Sequence, residues 1–309
     1  MDNLNKNYDD YISRMVKRIP DDFYTRPIPE QDECFHLSVT EFRGSDNAHS
    51  VTVSEVEIDG GKYVIFRPKG KTAAGPGLFY IHGGGFLLGS TGIAHDLCLD
   101  YAHFLDMPVI LPEYPVGVTS TYPETNKRVL ALYAAFQDKA RDFGVNPEEI
   151  VFGGESCGGY FAAALSFDIR EQAMTPFMAQ LLVNPVLDLT RWSYFIEGGN
   201  VDHFYREMMQ FTSHYCNGYQ YGNELGLNPL AQTDFTNIPP AIIWAAGRDP
   251  LRFEAHEYHQ KLTRAGTASE LMVLKGQVHG SLRGRNEYAD CYDGFIKLIN
   301  AIKQVSRKH

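Results

Sequence analysis

Read as a string of apolar and polar positions, the chain changes character near residue 50. "VTVSEVEI" (51–58) alternates apolar and polar, and "KYVIFRP" (62–68) follows after Asp59-Gly60-Gly61, so these two predict a hairpin. "GLFYIHG" (77–83) and "MPVILPE" (107–113) are continuous apolar runs, as expected of strands covered on both faces. Over 123–143, Val129, Leu132, Tyr133, Phe136, Ala140 and Phe143 recur at helical spacing, with Pro123 near the start. "EIVFGG" (149–154) predicts a buried strand and 157–170 a helix. "MAQLLVNP" (178–185), "PAIIWAAG" (240–247) and "SELMVLKG" (269–276) predict three more strands, with helices over about 251–265 and 287–305. Eight strands and interleaved helices call for a mainly parallel sheet with helices on both faces.

Two regions break the alternation. One is the first 50 residues. The other, about 190–237, is crowded with aromatics: Trp192, Tyr194, Phe195, Phe204, Tyr205, Phe211, Tyr215, Tyr219 and Tyr221, with Met208 and Met209. Both are expected to pack as a cap over one end of the sheet, within a single domain spanning 1–309.

Composition narrows the class. At 309 residues the chain can bury roughly 75% of its unfolded surface, so a core forms without covalent staples. Hydrophobic residues at 44% and charged residues at 21% describe an ordinary globular protein, and the net charge of −10 argues against a general nucleic-acid binder. The five cysteines (Cys34, Cys98, Cys157, Cys216, Cys291) follow neither a zinc-binding spacing nor an even disulfide framework. The first residues are polar, without the apolar core of a signal peptide, and no apolar run is long enough to span a bilayer. These features predict a reduced, cytoplasmic setting.

Chemistry enters at "VFGGESCGGY" (151–160), where Ser156 and Cys157 stand side by side among glycines. Gly154-Glu155-Ser156-Cys157-Gly158 fits G-x-S-x-G between a buried strand and a helix, where a sharp turn lifts the central side chain above the sheet edge. That side chain belongs to Ser156. Cys157 already begins the helix and is placed to offer its backbone N–H, although a helix N-terminus also lowers a thiol pKa and keeps a thiolate nucleophile as the alternative. "YIHGGGFLLG" adds Gly83, Gly84 and Gly85 directly after a strand; consecutive glycine N–H groups suit the oxyanion of acyl transfer. A flexible loop or a phosphate nest would read similarly, but neither GxxxxGK[ST] nor GxGxxG is present.

A serine nucleophile needs a base. Of eleven histidines, His279 in "LKGQVHGSLRG" lies just after the last strand, at the carboxyl end of the sheet. His36, His49, His103 and His309 read as surface or satisfied residues, His82 as structural. His256 and His259, at i, i+3 on one helix, lack the further ligands a metal needs. The base in turn needs an acid to fix its tautomer. Asp249 in "AAGRDPLRFEAHEY" follows a strand, and Asp-Pro is also a good helix start, so it suits both roles. Glu254 is the fallback acid.

HGGGF, GESCGG, DPLR and VHG, in this order over about 75–300, resemble the hormone-sensitive-lipase-like group of α/β-hydrolase esterases. The resemblance implies an α/β-hydrolase fold with a helical cap and a serine carboxylesterase acting on small to medium acyl esters. It assigns Ser156 as nucleophile, Asp249 as triad acid and His279 as base, in the chain order of that fold. The oxyanion donors it implies are the N–H groups of Gly84, Gly85 and Cys157. It implies no metal and no organic cofactor, a small-molecule ester as partner, and leaves room for a homodimer. Three departures bear on the substrate: Glu155 and Cys157 replace the family's usual Asp and Ala, "LPEYPVGVTSTYPE" (111–124) keeps the tyrosine-arginine loop poorly, and Phe253 stands where an acid is usual. An amidase or peptidase on the same fold, or a non-catalytic ligand-binding relative, are the competing readings.

Overall fold

The computed structural model describes residues 4–16, 20, 22–40, 42–89, 92–191, 203–217 and 227–307. Its centre is one eight-stranded sheet, made of β1 (Val51–Ile58), β2 (Gly61–Pro68), β3 (Gly75–Ile81), β4 (Val109–Pro112), β5 (Val145–Glu155), β6 (Ala179–Val183), β7 (Ala241–Ala246) and β8 (Ser269–Leu274). The spatial order is β1-β2-β4-β3-β5-β6-β7-β8. β1 and β2 form the expected hairpin, Ile58 opposite Gly61, and β2 joins β4 antiparallel; all later pairings are parallel. All eight strands fall where the alternating segment at 51–58 and the apolar runs place them. β5 begins earlier than its apolar run because its polar start, from Val145, reaches back to pair with Gly75.

Successive side chains of the central strands alternate between two cores, as the period of a strand requires. Phe79 and Ile81 of β3 face one core with α4 (Glu124–Lys139), α5 (Cys157–Glu171) and α7 (Arg252–Arg264). Leu78 and Tyr80 face the other with α3 (Gly92–Leu105) and α8 (Ala289–Ser306). α3 is the one long helix of the alternating region that the apolar pattern did not lead us to expect. Leu97, Cys98, Tyr101, Ala102 and Leu105 do recur at helical spacing, but they follow a glycine-rich loop that reads as irregular chain.

The two regions outside the alternation supply α1 (Tyr8–Val16), α2 (Ile28–Thr40) and α6 (His203–Cys216). Part of the aromatic stretch, Trp192, Tyr194, Phe195, Tyr219 and Tyr221 among it, lies outside the described residues. α2 and α6 meet over the loop after β3: Leu87, Leu88 and Phe211 form a small buried cluster with Ile28 and Phe35 packed on it.

A buried polar knot ties the amino-terminal segment to the sheet's helical layer. Asp100 on α3 is fully buried and takes Arg285 Nε at 2.6 Å and Asn286 Nδ2 at 3.1 Å on one oxygen. Its other oxygen accepts Asn47 Nδ2 at 2.7 Å and the Ser45 hydroxyl. Arg285 is itself 2% exposed, and among the described residues its ion pair is with this carboxylate. Removing one partner of such a pair strands the other in a low dielectric. Asp100→Ala is therefore expected to destabilise the fold by about 3–5 kcal/mol in urea unfolding, and a loss below about 1 kcal/mol would contradict the pairing.

Candidate active site

Ser156 sits between β5 and α5 with φ 57° and ψ −118°, a conformation that costs a non-glycine residue of order 1–3 kcal/mol. The motif's two glycines explain how the turn is built. A Cβ on Gly154 would stand 2.1 Å from the carbonyl oxygen of Ile81, and one on Gly158 2.0 Å from the same atom. Both flanks of the serine are thus pressed against the end of β3, where no side chain fits. The Ser156 N–H donates to Val183 O of β6 (2.9 Å), and its carbonyl accepts the Tyr160 N–H (3.1 Å), so the strained residue is held from both sides.

The loop after β3 carries the three glycines. Gly84 (φ 122°) and Gly85 (φ 60°) both lie in the left-handed half of backbone space. At Gly85 a Cβ would fall inside the Phe211 ring of α6, 1.9 Å from its nearest atom. Gly83, Gly84, Gly85, Ser156, Cys157 and His279 line one cavity of ≈ 40 Å³, closed by Phe35, Met208 and Phe211 among others.

His279 follows β8, and its Nδ1 lies 2.6 Å from Asp249 Oδ2. Asp249 is 1% exposed; its other oxygen accepts the Leu251 N–H at 2.9 Å, so one carboxylate starts α7 and faces the imidazole. A carboxylate at Nδ1 fixes the proton there and leaves Nε2 as the basic nitrogen. Glu254 does something else. It is buried and accepts the N–H groups of Leu187 (2.6 Å) and Asp188 (3.0 Å), bracing the chain after β6, and burial pushes its carboxyl up to about 8 against the pull of those donors.

Cys157 is fully buried. Its sulfur lies 3.8 Å from Tyr114 Oη and 3.9 Å from the His82 carbonyl. Burial raises its thiol pKa, against the lowering effect of the Phe86 and Gly85 N–H groups. A protonated, enclosed thiol is a poor nucleophile. His82 is structural in the same way: burial lowers its pKa to about 4, and its Nδ1 donates to the Gly83 carbonyl at 2.6 Å. Tyr114, from the poorly kept loop, donates to the His82 carbonyl at 2.9 Å. Phe253 is 58% exposed on the outer surface and does not line this cavity. His259 is engaged with Ser269 Oγ at 2.9 Å.

Two residues escaped the motif reading altogether. Tyr8 Oη accepts the N–H of Val278 (3.0 Å), and Tyr11 Oη donates to the carbonyl of Gly280 (2.7 Å). One turn of α1 therefore grips the peptide groups on either side of His279. The i, i+3 spacing of two tyrosines was the available signal, but nothing local to it points 270 residues ahead.

Comparison with known proteins bears on the family and the fold. A family model described as the alpha/beta hydrolase fold matches residues 78–283. An AB hydrolase superfamily protein of Schizosaccharomyces pombe is 30% identical over 228 residues, 70% of this chain and 66% of that protein. An ethyl acetate hydrolase of Pseudomonas putida is 24% identical over 241 residues, covering 75% and 74%. An ester hydrolase from the metagenome of Lake Arreo, solved with a bipyridine phosphonate derivative, superposes with a TM-score of 0.84 at 24% identity over 96% of each chain.

Tyr8→Phe removes the acceptor for the Val278 N–H. The stranded donor costs about 1–3 kcal/mol, so amide exchange over 277–281 is expected to quicken by roughly 10- to 100-fold with β7 unchanged. Unchanged exchange in that loop would contradict the grip.

Proposed function

The chain belongs to the α/β-hydrolase fold family, in its hormone-sensitive-lipase-like group, and from that premise we propose that it is a serine carboxylesterase acting on small to medium acyl esters through Ser156, His279 and Asp249. The observation that carries the proposal is the 2.6 Å contact of His279 Nδ1 with the buried Asp249, in a cavity that Ser156 and the three glycines also line. Several relatives in the family act on esters by name, among them the ethyl acetate hydrolase.

In this reading His279 Nε2 takes the proton of Ser156 as its Oγ attacks the ester carbonyl carbon. The carbonyl π electrons move to oxygen, and N–H groups of Gly84, Gly85 and Cys157 receive the oxyanion. Collapse of the tetrahedral intermediate breaks the C–O bond to the alcohol, which leaves with the proton held by His279. Water then attacks the acyl-enzyme, gives its proton to His279, and releases the acid and Ser156. Asp249 keeps the imidazole in the tautomer that can accept at Nε2 and stabilises the imidazolium.

The segments at about 1–50 and about 190–237 act as the cap over this site, within one domain. Phe35 from the first and Met208 and Phe211 from the second wall the cavity, which supports that role. Apolar walls at this position suit a short acyl chain. Among the described residues no helix is long and apolar enough to cross a membrane, and the five cysteines stand unpaired, which suits a reducing cytoplasmic setting.

Hydrolysis of p-nitrophenyl esters from acetate to decanoate tests the assignment. Ser156→Ala is expected to lower kcat by about 10⁶-fold and Asp249→Asn by about 10⁴-fold. Cys157→Ala is expected to retain turnover, and short chains to be preferred. Turnover surviving in Ser156→Ala but lost in Cys157→Ala would make this a thiol enzyme.

A further inference from the structure

Beside the catalytic cavity lies a second one of ≈ 30 Å³, walled by Tyr80, His82 and Leu97. The two cavities share Phe35, Gly83, Glu155 and Arg283, so they abut through the same four residues. Neither cavity's chemistry is accounted for by the triad alone. Glu155 is 7% exposed, and its Oε1 is buried without a hydrogen-bond partner among the described residues. Arg283, four residues after His279, has its Nε buried and equally without a partner, while its guanidinium lies 4.8 Å from the centroid of the Phe35 ring. His82 adds an acceptor: its Nδ1–H is committed to the Gly83 carbonyl, which leaves a lone pair on Nε2. Asp32, near His82, holds the Gly89 N–H at 2.9 Å at the same cavity's wall.

Buried polar atoms are ordinarily satisfied, so two unpartnered ones lining adjoining cavities call for a cause. The charges here constrain what that is. A cation entering the cavity meets Arg283. An anion meets Glu155, with Asp32 close by. Neutral hydroxyl groups suit both kinds of wall, because an O–H can donate to the Glu155 carboxylate and a hydroxyl lone pair can accept from Arg283 Nε. A volume of ≈ 30 Å³ admits about two such groups, and Phe35 and Tyr80 supply apolar faces for the carbons that bear them.

We propose that this side cavity binds free hydroxyl groups of the substrate, so that the preferred esters are hydroxylated ones: a polyol ester if the hydroxyls lie on the alcohol side, a hydroxy-acid ester if they lie on the acyl side. The proposal rests on the esterase reading for the word ester, and its test is arranged to be read without turnover. Glu155 in place of the family's usual Asp then has a use, since its longer side chain reaches a cavity wall next to the nucleophile.

Calorimetric titration of the Ser156→Ala protein compares isosteric pairs: glycerol 1-acetate against 2-methylbutyl acetate, and ethyl 3-hydroxypropanoate against ethyl butanoate. One hydroxylated member is expected to bind about 10-fold more tightly than its partner, a charge-assisted hydrogen bond's worth, and which pair shows the gap identifies the side. The gap is expected to close in Ser156→Ala/Arg283→Met and in Ser156→Ala/Glu155→Gln, through weaker binding of the hydroxylated ester alone. Two separate variants, each checked for its melting transition, keep a misfolded one from deciding the matter. Equal binding within both pairs overturns the proposal, as does a gap that persists in both double variants. Tighter binding of the charged analogues monoethyl succinate or β-alanine ethyl ester overturns it too. Wild-type turnover of p-nitrophenyl acetate, measured in parallel, separates the two readings: a binding gap in a protein that hydrolyses no ester removes the catalytic assignment and leaves the cavity's.

Discussion

The carbonyl oxygen of Ile81, at the end of β3, is approached by the backbone on both sides of Ser156. Virtual side chains at Gly154 and Gly158 would lie about 2 Å from it. That single approach fixes the serine's turn against the strand that also leads into the glycine loop, so the proposed nucleophile and the glycine N–H groups proposed as oxyanion donors share one rigid reference. The strain at Ser156, worth a few kcal/mol at most, is small beside the core that imposes it. Around this point Ile81, Cys157, Tyr160 and Phe161 belong to one buried cluster. His279 and Asp249 arrive from farther along the sheet, after β8 and β7, and His279 lines one cavity with Ser156 because neighbouring parallel strands end at the same edge.

This division explains what was legible in the sequence. Continuous apolar runs gave β3 to β7, because strands covered on both faces have no polar side to disguise them, and the alternation of 51–58 before Asp59-Gly60-Gly61 gave the hairpin. The elbow, the glycine loop, Asp249 and His279 were legible because each follows a strand and each uses a residue type that the local geometry demands. α3 was harder to see, as its apolar face follows a glycine-rich stretch. The tyrosine grip of α1 on the His279 loop was not readable at all: Tyr8 and Tyr11 act through contacts about 270 residues away, and no local pattern encodes them. The same holds for Arg283, which reads as one more surface cation until the fold brings it beside Phe35 and Glu155.

The polar groups divide accordingly into satisfied and waiting ones. Asp100 and Arg285 close on each other and on the chain around Ser45, and serve the fold. Asp249 is satisfied twice, by the start of α7 and by His279, which holds the imidazole without spending the carboxylate on solvent. Cys157 turns its sulfur into the core beside Tyr114 and the His82 carbonyl, so the role proposed for it lies in its backbone N–H. Glu155 and Arg283 each keep a buried polar atom open, as Arg285 does at Nη2, but Glu155 and Arg283 are the ones that line the space beside Ser156, where a substrate would extend.

The central claim is that Ser156, and not its neighbour Cys157, is the nucleophile. Incubation of the wild-type protein with a fluorophosphonate, followed by peptide mass mapping, tests it most directly, because the reagent bonds covalently to a serine activated by its base. The account predicts one adduct per chain, on Ser156, and none in His279→Ala. An adduct on Cys157, or none on Ser156 in the folded wild type, would contradict it.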